Sequence, residues 1–533
     1  MEYPRLDVFA LERPRSPRDP EGIPLRDSDS HPRSFRALLR QLLASFALAI
    51  PLGCGADSVP EPTTNTPSAR PAADRPRIVL LISLDTLRPD HLGIYGYDRP
   101  TSPAIDSLGR EGVVFEDAST TSPWTLPSHA SMLTGLYPNR HGATDWETAL
   151  DVSLPTLAAR LAGNGYATAA VVNTLHLSEQ FGLTRGFEKF MYVKENEERV
   201  GPSTWVTDQA IGWLGELRGQ RVFLFVHYYD VHSRYAALPR YERQFVSPYD
   251  GPADGSSGQL YLYLLSPQFI ASCQSDPNRE SCRSWAKGPI VAEADATTVR
   301  VDFDTDDIRH LVDLYDAGVR QTDAEVGRLI EFLRLEGLLD QTLVIITADH
   351  GEQFLEHGSV LHSRTHYQEV MRVPLILRGP GIPAGRRIAT PVSLVDVVPT
   401  VLAALGEPAP ARADGLDLSA LWKPESQTGG HEAESIARLR DRTIFSEAAA
   451  SDVVLAARRG RFKLHYNRLT GEQELYDLEL DPGEQTNLAE RDPATSAQLR
   501  ELLLQRLGDG PRGEPVELTT EEAERLQALG YLH

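Results

Sequence analysis

The chain has 533 residues, of which 41% are hydrophobic and 24% charged, and this composition excludes a wholly disordered or fibrous protein. Acidic residues outnumber basic residues by 75 to 53, and the net charge of −22 disfavours binding to nucleic acid and to anionic lipid headgroups. Any site for an anion therefore needs a local positive field, which a metal ion supplies. The 3 cysteines form no CxxC pair, which excludes a cysteine-based zinc site.

Residues 1–53 are typical of a targeting segment rather than of a folded domain. Three arginines between residues 33 and 40 precede an apolar run from Leu42 to Gly53, which is the order found in signal peptides. The run ends in Pro51-Leu52-Gly53-Cys54, which resembles the lipobox of bacterial lipoproteins. We therefore expect an exported lipoprotein, anchored to a membrane through Cys54, in the periplasm or on the cell surface. The alternative is an uncleaved signal-anchor in which Cys54 has no role.

Residues 54–76 are rich in proline, alanine, threonine and serine, and this composition predicts a disordered tether. If Cys54 carries a lipid, Cys273 and Cys282 remain as a pair in a segment rich in serine, proline and aspartate. An exported compartment would allow these two cysteines to form a disulfide, and the alternative is two free thiols.

Continuous apolar runs recur along residues 77–425, and such runs are typical of strands buried on both faces of a parallel sheet. The strands predicted in this way are Arg77–Leu84, Ala167–Val172, Val222–Tyr228, Thr342–Thr347 and Val373–Leu377. Helical patterns lie between them, at Leu154–Gly163, Thr204–Leu217, Ile308–Glu336 and Leu394–Leu405. The alternation predicts an α/β domain with a doubly wound, mostly parallel sheet flanked by helices.

Two segments interrupt this alternation of predicted strands and helices. Residues 240–305 are rich in serine, proline, glycine and aspartate and are predicted to be an insertion, and a stretch near 424–436 is predicted to be a linker. Beyond the linker, residues 437–533 are predicted to form a smaller C-terminal α+β subdomain. Its expected elements are short strands at Val453–Tyr466 and Glu474–Leu478 and a helix at Ala497–Leu507.

Two of the apolar runs end in acidic residues. Asp85 follows the first run, and Asp349-His350-Gly351 follows the fourth. Ligand sites in α/β sheets collect where the strands end, and a buried acid is poor for stability unless it is paired or binds a metal. We therefore predict a metal site formed by Asp85, Asp349 and His350, with Gly351 allowing the turn. The alternative for Asp85 alone is a helix cap.

A candidate nucleophile lies in the segment Trp124-Thr125-Leu126-Pro127. Pro127 suits the first turn of a helix, so Thr125 is expected at the helix N-terminus, where the dipole and the free N–H groups favour an alkoxide. Threonine is a weak nucleophile unless it is activated, and coordination to a metal is one way to activate it. The alternative is that Thr125 only caps the helix.

Histidines cluster in short motifs that follow the predicted strands. A lone histidine is usually structural, but several in loops after strands favour roles as ligands or as acids and bases. The histidines of these motifs are His141, His227, His232, His357 and His362.

Taken in order, five motifs of the chain resemble the sulfatases of the alkaline phosphatase superfamily. They are SLDTLRPDHLGIYGY, SPWTLPSHASMLTGLYPNRHG, HYYDVH, TADHGEQFLEHG and YQEVMRVPLILRGPG, and LYDLELDPGE near the C-terminus resembles the sulfatase C-terminal subdomain. The resemblance covers residues 77–533. It implies an alkaline phosphatase-like fold and a metal-dependent hydrolase.

The resemblance also implies roles for individual residues. Asp85, Asp349 and His350 match the metal ligands of the family, and His141 and His232 match histidines that contact the ester and its leaving group. Substrate contacts are implied for His129, which replaces an arginine of the nucleophile motif, and for His362 and Arg364, which fall near a family lysine. Two further positions differ from the family, since Thr86 stands where many members have an acid and Asn139 replaces a lysine.

The nucleophile position is the main departure from the family. Sulfatases carry a cysteine or serine that is oxidised to formylglycine, whereas Thr125 stands here and does not undergo that oxidation. We predict hydrolysis of sulfate esters of small molecules or glycans, with Thr125 as nucleophile. The alternatives are a phosphodiesterase or phosphoethanolamine-type transferase on the same fold, or an inactive surface lipoprotein.

We expect one divalent metal, Ca²⁺ or Mg²⁺, with Zn²⁺ or Mn²⁺ as alternatives. A two-zinc phosphodiesterase is disfavoured because no clear DxxxH ligand pair precedes Asp349. No nucleic-acid partner is expected, and the sequence predicts no particular oligomeric state.

Overall fold

The apolar runs form a central sheet in the computed structural model, which describes residues 75–194, 202–265, 300–423, 429–447, 454–506 and 514–515. The five predicted strands are confirmed within one residue at each end. The strands are β1 (Ile78–Leu84), β2 (Val113–Ser119), β3 (Thr148–Ala149), β4 (Ala167–Val172), β5 (Lys189–Tyr192), β6 (Val222–Tyr228), β7 (Thr342–Thr347), β8 (Gln353–Phe354), β9 (Val360–Leu361), β10 (Arg372–Arg378), β11 (Arg386–Ile388), β12 (Val392–Ser393), β13 (Thr443–Ser446), β14 (Val454–Arg459), β15 (Phe462–Asn467), β16 (Gln473–Asp477) and β17 (Glu514–Pro515).

Helices lie between many of these strands. The α-helices are α1 (Pro103–Arg110), α2 (Thr125–Thr134), α3 (Pro138–His141), α4 (Leu157–Gly163), α5 (Ser203–Glu216), α6 (Pro239–Phe245), α7 (Ser257–Leu264), α8 (Thr305–Leu335), α9 (Gln368–Met371), α10 (Val397–Ala404), α11 (Gly430–Asp441) and α12 (Pro493–Arg506). Short 3₁₀ helices occur at Pro89–His91, Gly93–Tyr95, Leu175–Leu177, Glu179–Phe181, Leu339–Gln341, Leu394–Asp396 and Ser419–Trp422.

The central sheet has nine strands in the order β11-β2-β10-β7-β1-β6-β4-β5, with β12 also paired to β2. Neighbouring strands run parallel except at β10, which is antiparallel to both β7 and β2. The predicted mostly parallel sheet flanked by helices is therefore confirmed. All seven residues of β1 are buried, because the strand lies in the middle of the sheet with neighbours on both edges.

The C-terminal subdomain contains a separate four-stranded sheet in the order β13-β14-β15-β16. Helix α12 packs on this sheet, and the small core between them is formed by Leu455, Ala457, Leu464, Leu475, Leu499 and Leu503. The predicted strands and helix of this region are present, and β13 is an additional strand. Helix α11 occupies part of the stretch near 424–436 that was expected to be a linker.

Several sequence predictions fall outside the described residues. These are the targeting segment 1–53, residues 54–74 of the predicted tether 54–76, the lipidation site Cys54 and the candidate disulfide between Cys273 and Cys282. Of the predicted insertion 240–305, the structure describes α7 and most of α6. Within the described ranges, every helix is too short or too polar to cross a membrane.

Candidate active site

The site forms where three adjacent central strands end. Strand β1 lies between β6 and β7, and Ser83 of β1 is in register with His227 of β6 and Thr347 of β7. Asp85 follows β1, and Asp349 comes two residues after Thr347, so the parallel register carries these polar groups to the same edge of the sheet. The sequence therefore places two acids and a histidine beside each other although about 260 residues separate them along the chain.

Asp85, Asp349 and His350 are brought together as the sequence predicts. One ligand atom from each lies within 4.8 Å of the others, and all three side chains are fully buried. The Nε2 atom of His350 is 3.7 Å from Asp85 Oδ1 and 3.3 Å from Asp349 Oδ2. The Nδ1–H of His350 donates to the Gly351 carbonyl oxygen at 3.0 Å, which leaves the Nε2 lone pair facing the two carboxylates.

The carboxylate of Asp349 is only half satisfied by the protein. Its Oδ1 atom accepts hydrogen bonds from the backbone N–H of Thr86 at 3.3 Å and of His350 at 2.9 Å. Its Oδ2 atom is buried and has no hydrogen bond within the described part of the chain. Burial raises the pKa of Asp349 to about 6, which is the response of an acid in a dry site that lacks a counter-charge.

This donor set fits a divalent cation. Two carboxylates and one imidazole are a combination found in protein metal sites, and a cation would neutralise the buried charge on Asp349. The imidazole favours Zn²⁺ or another transition metal, whereas Ca²⁺ and Mg²⁺ prefer ligand sets of oxygen alone. The turn that presents His350 depends on Gly351, because a Cβ atom there would collide with the carbonyl oxygen of Glu369.

Thr125 is the first residue of α2 and lies against this cluster. Its Oγ1 atom is 3.4 Å from His350 Nε2, and the side chain is fully buried. Helix α2 begins at Thr125, with Trp124 in an extended conformation before it, as expected from the position of Pro127. The hydroxyl therefore lies at the N-terminus of a ten-residue helix and beside the predicted metal ligands.

His129 lies one turn further along α2 and contacts residues of the site. Its ring bonds to the carbonyl oxygen of Thr125 through Nδ1 and to the hydroxyl of Ser83 through Nε2, both at 2.9 Å. The Nδ1 atom is also 3.6 Å from Asp349 Oδ2. These contacts place His129 among the carboxylates, and its predicted contact with substrate stays a prediction.

His232 and His362 lie on the other side of His350. The ring centroids of His350 and His362 are 4.3 Å apart, and those of His362 and His232 are 4.9 Å apart. Glu352 orients His362, because its Oε1 atom accepts a hydrogen bond from His362 Nδ1–H at 2.9 Å. Burial raises the pKa of Glu352 to about 7 and lowers the pKa values of His232 and His362 to about 3.

Two predicted residues have their described contacts elsewhere. His141 bonds through Nε2 to Ser131 Oγ at 3.0 Å and to the Pro127 carbonyl at 3.2 Å, and its Nδ1 accepts the Ala143 N–H at 3.2 Å. These bonds join His141 to α2 rather than to the carboxylates. Arg364 lines a cavity of about 130 Å³ between the catalytic domain and the C-terminal subdomain. The roles of both residues in binding and catalysis stay predictions.

Two residues of the site make contacts that the sequence did not assign to them. His227 Nε2 lies 3.1 Å from Asp85 Oδ2, and Glu352 positions His362. The signal for His227 was its place near the carboxyl end of a buried apolar run, next to the strand that carries Asp85. The signal for Glu352 was an acid directly after the Asp349-His350-Gly351 turn, in a segment that is otherwise buried.

Asn139 serves a structural contact with the C-terminal subdomain. Its backbone N–H donates to Glu447 Oε2 at 2.8 Å, and its side-chain oxygen accepts from Arg506 Nη2 at 3.2 Å. Arg506 is the last residue of α12 and also donates to Glu447 Oε1 at 3.0 Å. The helix of the C-terminal subdomain is thereby joined to α3, next to α2.

Curated relatives are similar to this chain in sequence, and solved structures are similar to it in fold. Arylsulfatase K of Bos taurus is 26% identical over 431 residues, covering 75% of this chain and 76% of the relative. Arylsulfatase K of Homo sapiens is 26% identical over 464 residues, covering 81% and 82%. The structure of BT4656 in complex with its substrate D-glucosamine-2-N,6-O-disulfate has a TM-score of 0.62 at 21% identity, covering 82% of this chain and 98% of that chain.

The phosphonate monoester hydrolase of Agrobacterium radiobacter has a TM-score of 0.59 at 23% identity, covering 81% of this chain and 95% of that chain. These structural likenesses show a common fold. The C-terminal region, residues 356–509, matches the family model described as N-sulphoglucosamine sulphohydrolase, C-terminal. The family model described as Sulfatase matches residues 77–407, which is more than half of the chain. The chain therefore belongs to the sulfatase family, whose members are hydrolases.

Proposed function

We propose that the chain is a metal-dependent hydrolase of sulfate esters and that Thr125 is its nucleophile. The observation that carries the proposal is the 3.4 Å distance between Thr125 Oγ1 and His350 Nε2, at the point where α2 begins. The relatives named arylsulfatase K support a sulfate ester as substrate. The glucosamine disulfate bound by BT4656 supports a small-molecule or glycan ester.

Asp85, Asp349 and His350 would hold the cation. When bound, a divalent cation polarises ester oxygens and favours the deprotonated form of a neighbouring hydroxyl. Of the four metals that the sequence suggests, the imidazole of His350 favours Zn²⁺, whereas the two carboxylates also suit Ca²⁺, Mg²⁺ and Mn²⁺.

The residues of the chain supply orientation and proton transfer. The free N–H groups at the start of α2 would bind the anionic oxygens of the ester, and the helix dipole favours negative charge on Thr125. Thr125 Oγ would attack the sulfur, and the bond from sulfur to the leaving oxygen would break. His232 or His141, neutral at the start of the reaction, would take up the proton that Thr125 loses and pass it to that leaving oxygen. Water would then attack the sulfur of the threonine ester, releasing sulfate and restoring the hydroxyl.

A second candidate function is hydrolysis or transfer of a phosphoryl or phosphonyl group. The specific observation in its favour is the threonine itself, because it lacks the second hydroxyl with which a hydrated formylglycine expels sulfate. A metal-activated hydroxyl is suited to attack at phosphorus. The fold shared with the phosphonate monoester hydrolase is compatible with this reading.

Paired substrates would test the function. An aryl sulfate, an aryl phosphate, an aryl phosphodiester and a phosphonate monoester carrying the same leaving group would be compared on metal-loaded protein. We expect the sulfate to give the largest kcat/KM, and a larger value for a phosphorus ester would favour the second candidate. No turnover of any of the four would support the inactive lipoprotein instead.

Substitution of Thr125 would test the nucleophile. We expect Thr125→Ala to lower turnover by ~10³-fold or more and Thr125→Ser to retain measurable activity, because serine keeps the hydroxyl. Acid quenching during turnover, followed by peptide mass spectrometry, should find the transferred group on residue 125. Full activity in Thr125→Ala would mean that water attacks the ester directly.

We also propose that the protein is exported and anchored to a membrane by a lipid on Cys54. The support is the order of basic residues, apolar run and cysteine at residues 33–54. We expect the mature protein to begin at Cys54 and to fractionate with membranes, and Cys54→Ser should release it into the soluble fraction. Wild-type protein that is recovered in solution with residues 1–53 attached would contradict this proposal.

A further inference from the structure

A polar cavity lies beside the candidate active site, between the loop that joins β9 to α9 and the sheet of the C-terminal subdomain. One wall is formed by residues 364–367, and the other by residues of β14, β15 and β16 with Glu472. Its volume is about 130 Å³. Pockets for drug-sized ligands measure about 300–1,000 Å³ and occur preferentially at interfaces between domains. This cavity is therefore of a size for a single ring.

The loop between β9 and α9 connects the cavity to the site. The ring centroid of His362 is 4.3 Å from that of His350, while the Arg364 side chain lines the cavity. Two residues of chain span at most about 7 Å, so the cavity begins close to the histidines of the site. The backbone N–H of Ser363 also donates to the carbonyl oxygen of Pro123 at 3.0 Å, two residues before the proposed nucleophile.

Each wall of the cavity carries a hydrogen-bond donor without an acceptor among the described residues. The guanidinium of Arg364 makes no hydrogen bond or ion pair there, although two glutamates line the same cavity. Asn467 Oδ1 accepts the backbone N–H groups of Leu469 and Thr470 at 3.0 and 3.1 Å, whereas its Nδ2 donates to none of the described residues. Partial desolvation lowers the pKa of Arg364, and a ligand that accepts hydrogen bonds would offset that cost.

The cavity also presents an acceptor. Glu474 Oε2 accepts from the hydroxyls of Tyr367 at 2.9 Å and Tyr476 at 3.2 Å, and its Oε1 atom has no hydrogen bond in the described part of the chain. Because Glu472 and Glu474 outnumber the single guanidinium, a purely anionic group is disfavoured here. A neutral ligand that both donates and accepts fits instead, and the hydroxyls of a sugar do both.

The two walls are held together before any ligand binds. His366 Nε2–H donates to the carbonyl oxygen of Val454 at 2.8 Å, which joins the loop to β14. The ring of Tyr367 stacks on that of His357, with centroids 3.6 Å apart and an interplanar angle of 4°. A cavity whose walls are already ordered binds its ligand at a smaller cost in conformational entropy.

We propose that this cavity is a subsite for a neutral sugar ring next to the sulfated group, so that the substrate is a sulfate ester within an oligosaccharide. Arg364 and Asn467 would donate to oxygens of the ring, and Glu474 would accept from one of its hydroxyls. The proposal rests on the proposed function, because the ester bound beside Thr125 fixes where the next ring lies. The C-terminal subdomain then takes part in selecting the substrate and not in the chemical step.

Binding without turnover would test the cavity directly. Methyl glycosides of glucose, galactose, mannose, xylose and N-acetylglucosamine would be added to the full chain and followed by saturation-transfer NMR. We expect at least one to bind the wild type and to lose its signal in Asn467→Asp, which keeps the contacts of Oδ1 and removes the donor. The matched control Arg459→Ala removes an exposed cation of the same sheet and should bind as the wild type does. Binding of none of these glycosides, or equal binding by Asn467→Asp, would overturn the proposal.

Paired substrates would show whether the cavity serves the ester. A monosaccharide sulfate would be compared with the same sulfated sugar joined to the glycoside that binds, and with 4-nitrophenyl sulfate, which lacks a second ring. We expect the disaccharide to have a ~10-fold larger kcat/KM than the monosaccharide in the wild type, and this advantage to be lost in Glu474→Gln. Hydrolysis of 4-nitrophenyl sulfate should not change in that variant.

The same measurements separate failure of the subsite from failure of the proposed function. Equal kcat/KM values for the monosaccharide and the disaccharide, or an equal loss on all three substrates in Glu474→Gln, would overturn the subsite while the hydrolase stands. If the proposed function fails, none of the three sulfates is hydrolysed, whereas binding of the glycoside and its loss in Asn467→Asp persist.

Discussion

Two buried carboxylates in this protein have opposite electrostatic surroundings. Asp349, at the edge of the central sheet, has one oxygen without a hydrogen bond in the described structure, and burial raises its pKa to about 6. Glu484, in the C-terminal subdomain, is just as buried, yet its pKa is lowered to about 2. The difference distinguishes an acid whose charge the protein itself neutralises from one whose charge is not neutralised in this way.

The surroundings of Glu484 explain its low pKa. Lys463 Nζ lies 2.9 Å from Glu484 Oε1, His465 Nε2 lies 3.2 Å from the same oxygen, and the backbone N–H of Gln368 donates to Oε2 at 2.6 Å. Through the lysine and the two further partners, Glu484 connects the C-terminal sheet to α9. Among the described residues, the ion pairs of Asp349 are with histidines and not with lysine or arginine, which is consistent with a site for a cation.

The largest effect should follow from removing the charge of Asp349. We expect Asp349→Asn to lower kcat/KM by ~10³-fold or more and to abolish stoichiometric metal binding, because the amide is a poor ligand. The metal-free variant should be at least as stable as the metal-free wild type, since a buried charge without a counter-ion is lost. Elemental analysis and urea unfolding in the presence of a chelator would measure both. A variant that keeps full metal content would show that the ligands are assigned wrongly.

Removing the partner of Glu484 should lower the stability of the protein and leave its activity nearly unchanged. We expect Lys463→Met to lower the free energy of unfolding by about 3–5 kcal/mol, because a buried carboxylate is left without its cation. Activity per folded molecule should change little, since Lys463 lies outside the site. Urea unfolding and kcat/KM on one preparation would measure this. The double variant Lys463→Met/Glu484→Gln should recover part of the stability, and a double variant as unstable as the single one would contradict the pairing.

A smaller effect should appear on acidification. The folded-state pKa of Glu484 is about 2 and its ordinary value is 4.5, so its stabilising contribution is present above pH 4.5 and is lost as the pH falls toward 2. A shift of roughly 2.5 units corresponds to about 3 kcal/mol of unfolding free energy. Urea unfolding from pH 5 to pH 2.5 should show this loss in the wild type. A Glu484→Gln variant with the same pH dependence would assign the loss to other groups.

The strands of the central sheet could be predicted because a continuous apolar run indicates a strand that is buried on both faces. Each run buried on both faces formed a strand of the central sheet, and the long periodic segment 308–336 formed most of α8. An apolar run does not indicate the direction of its strand, so the run at Val373–Leu377 did not predict that β10 is antiparallel. Strand β2 was not predicted because Glu116 and Asp117 interrupt its apolar residues.

The part of the site that could be predicted consists of polar residues that directly follow a predicted strand. Asp85 and Asp349-His350 follow apolar runs, and parallel pairing then brings them together. The contact of His227 with Asp85 was not predicted, because the two residues are 142 positions apart and become neighbours only through the register of β1 with β6. The surroundings of His141 depend on how α3 packs against α2, and a linear motif does not contain that information.

The contact between Arg506 and Asn139 has a consequence for how the enzyme is made. Asn139 lies in α3, whose His141 bonds to Ser131 of α2, the helix that begins at Thr125. Arg506, which contacts Asn139, is synthesised more than 360 positions after it. A growing chain therefore completes the contacts that support α2, the helix that carries Thr125, only after residue 506 has been synthesised.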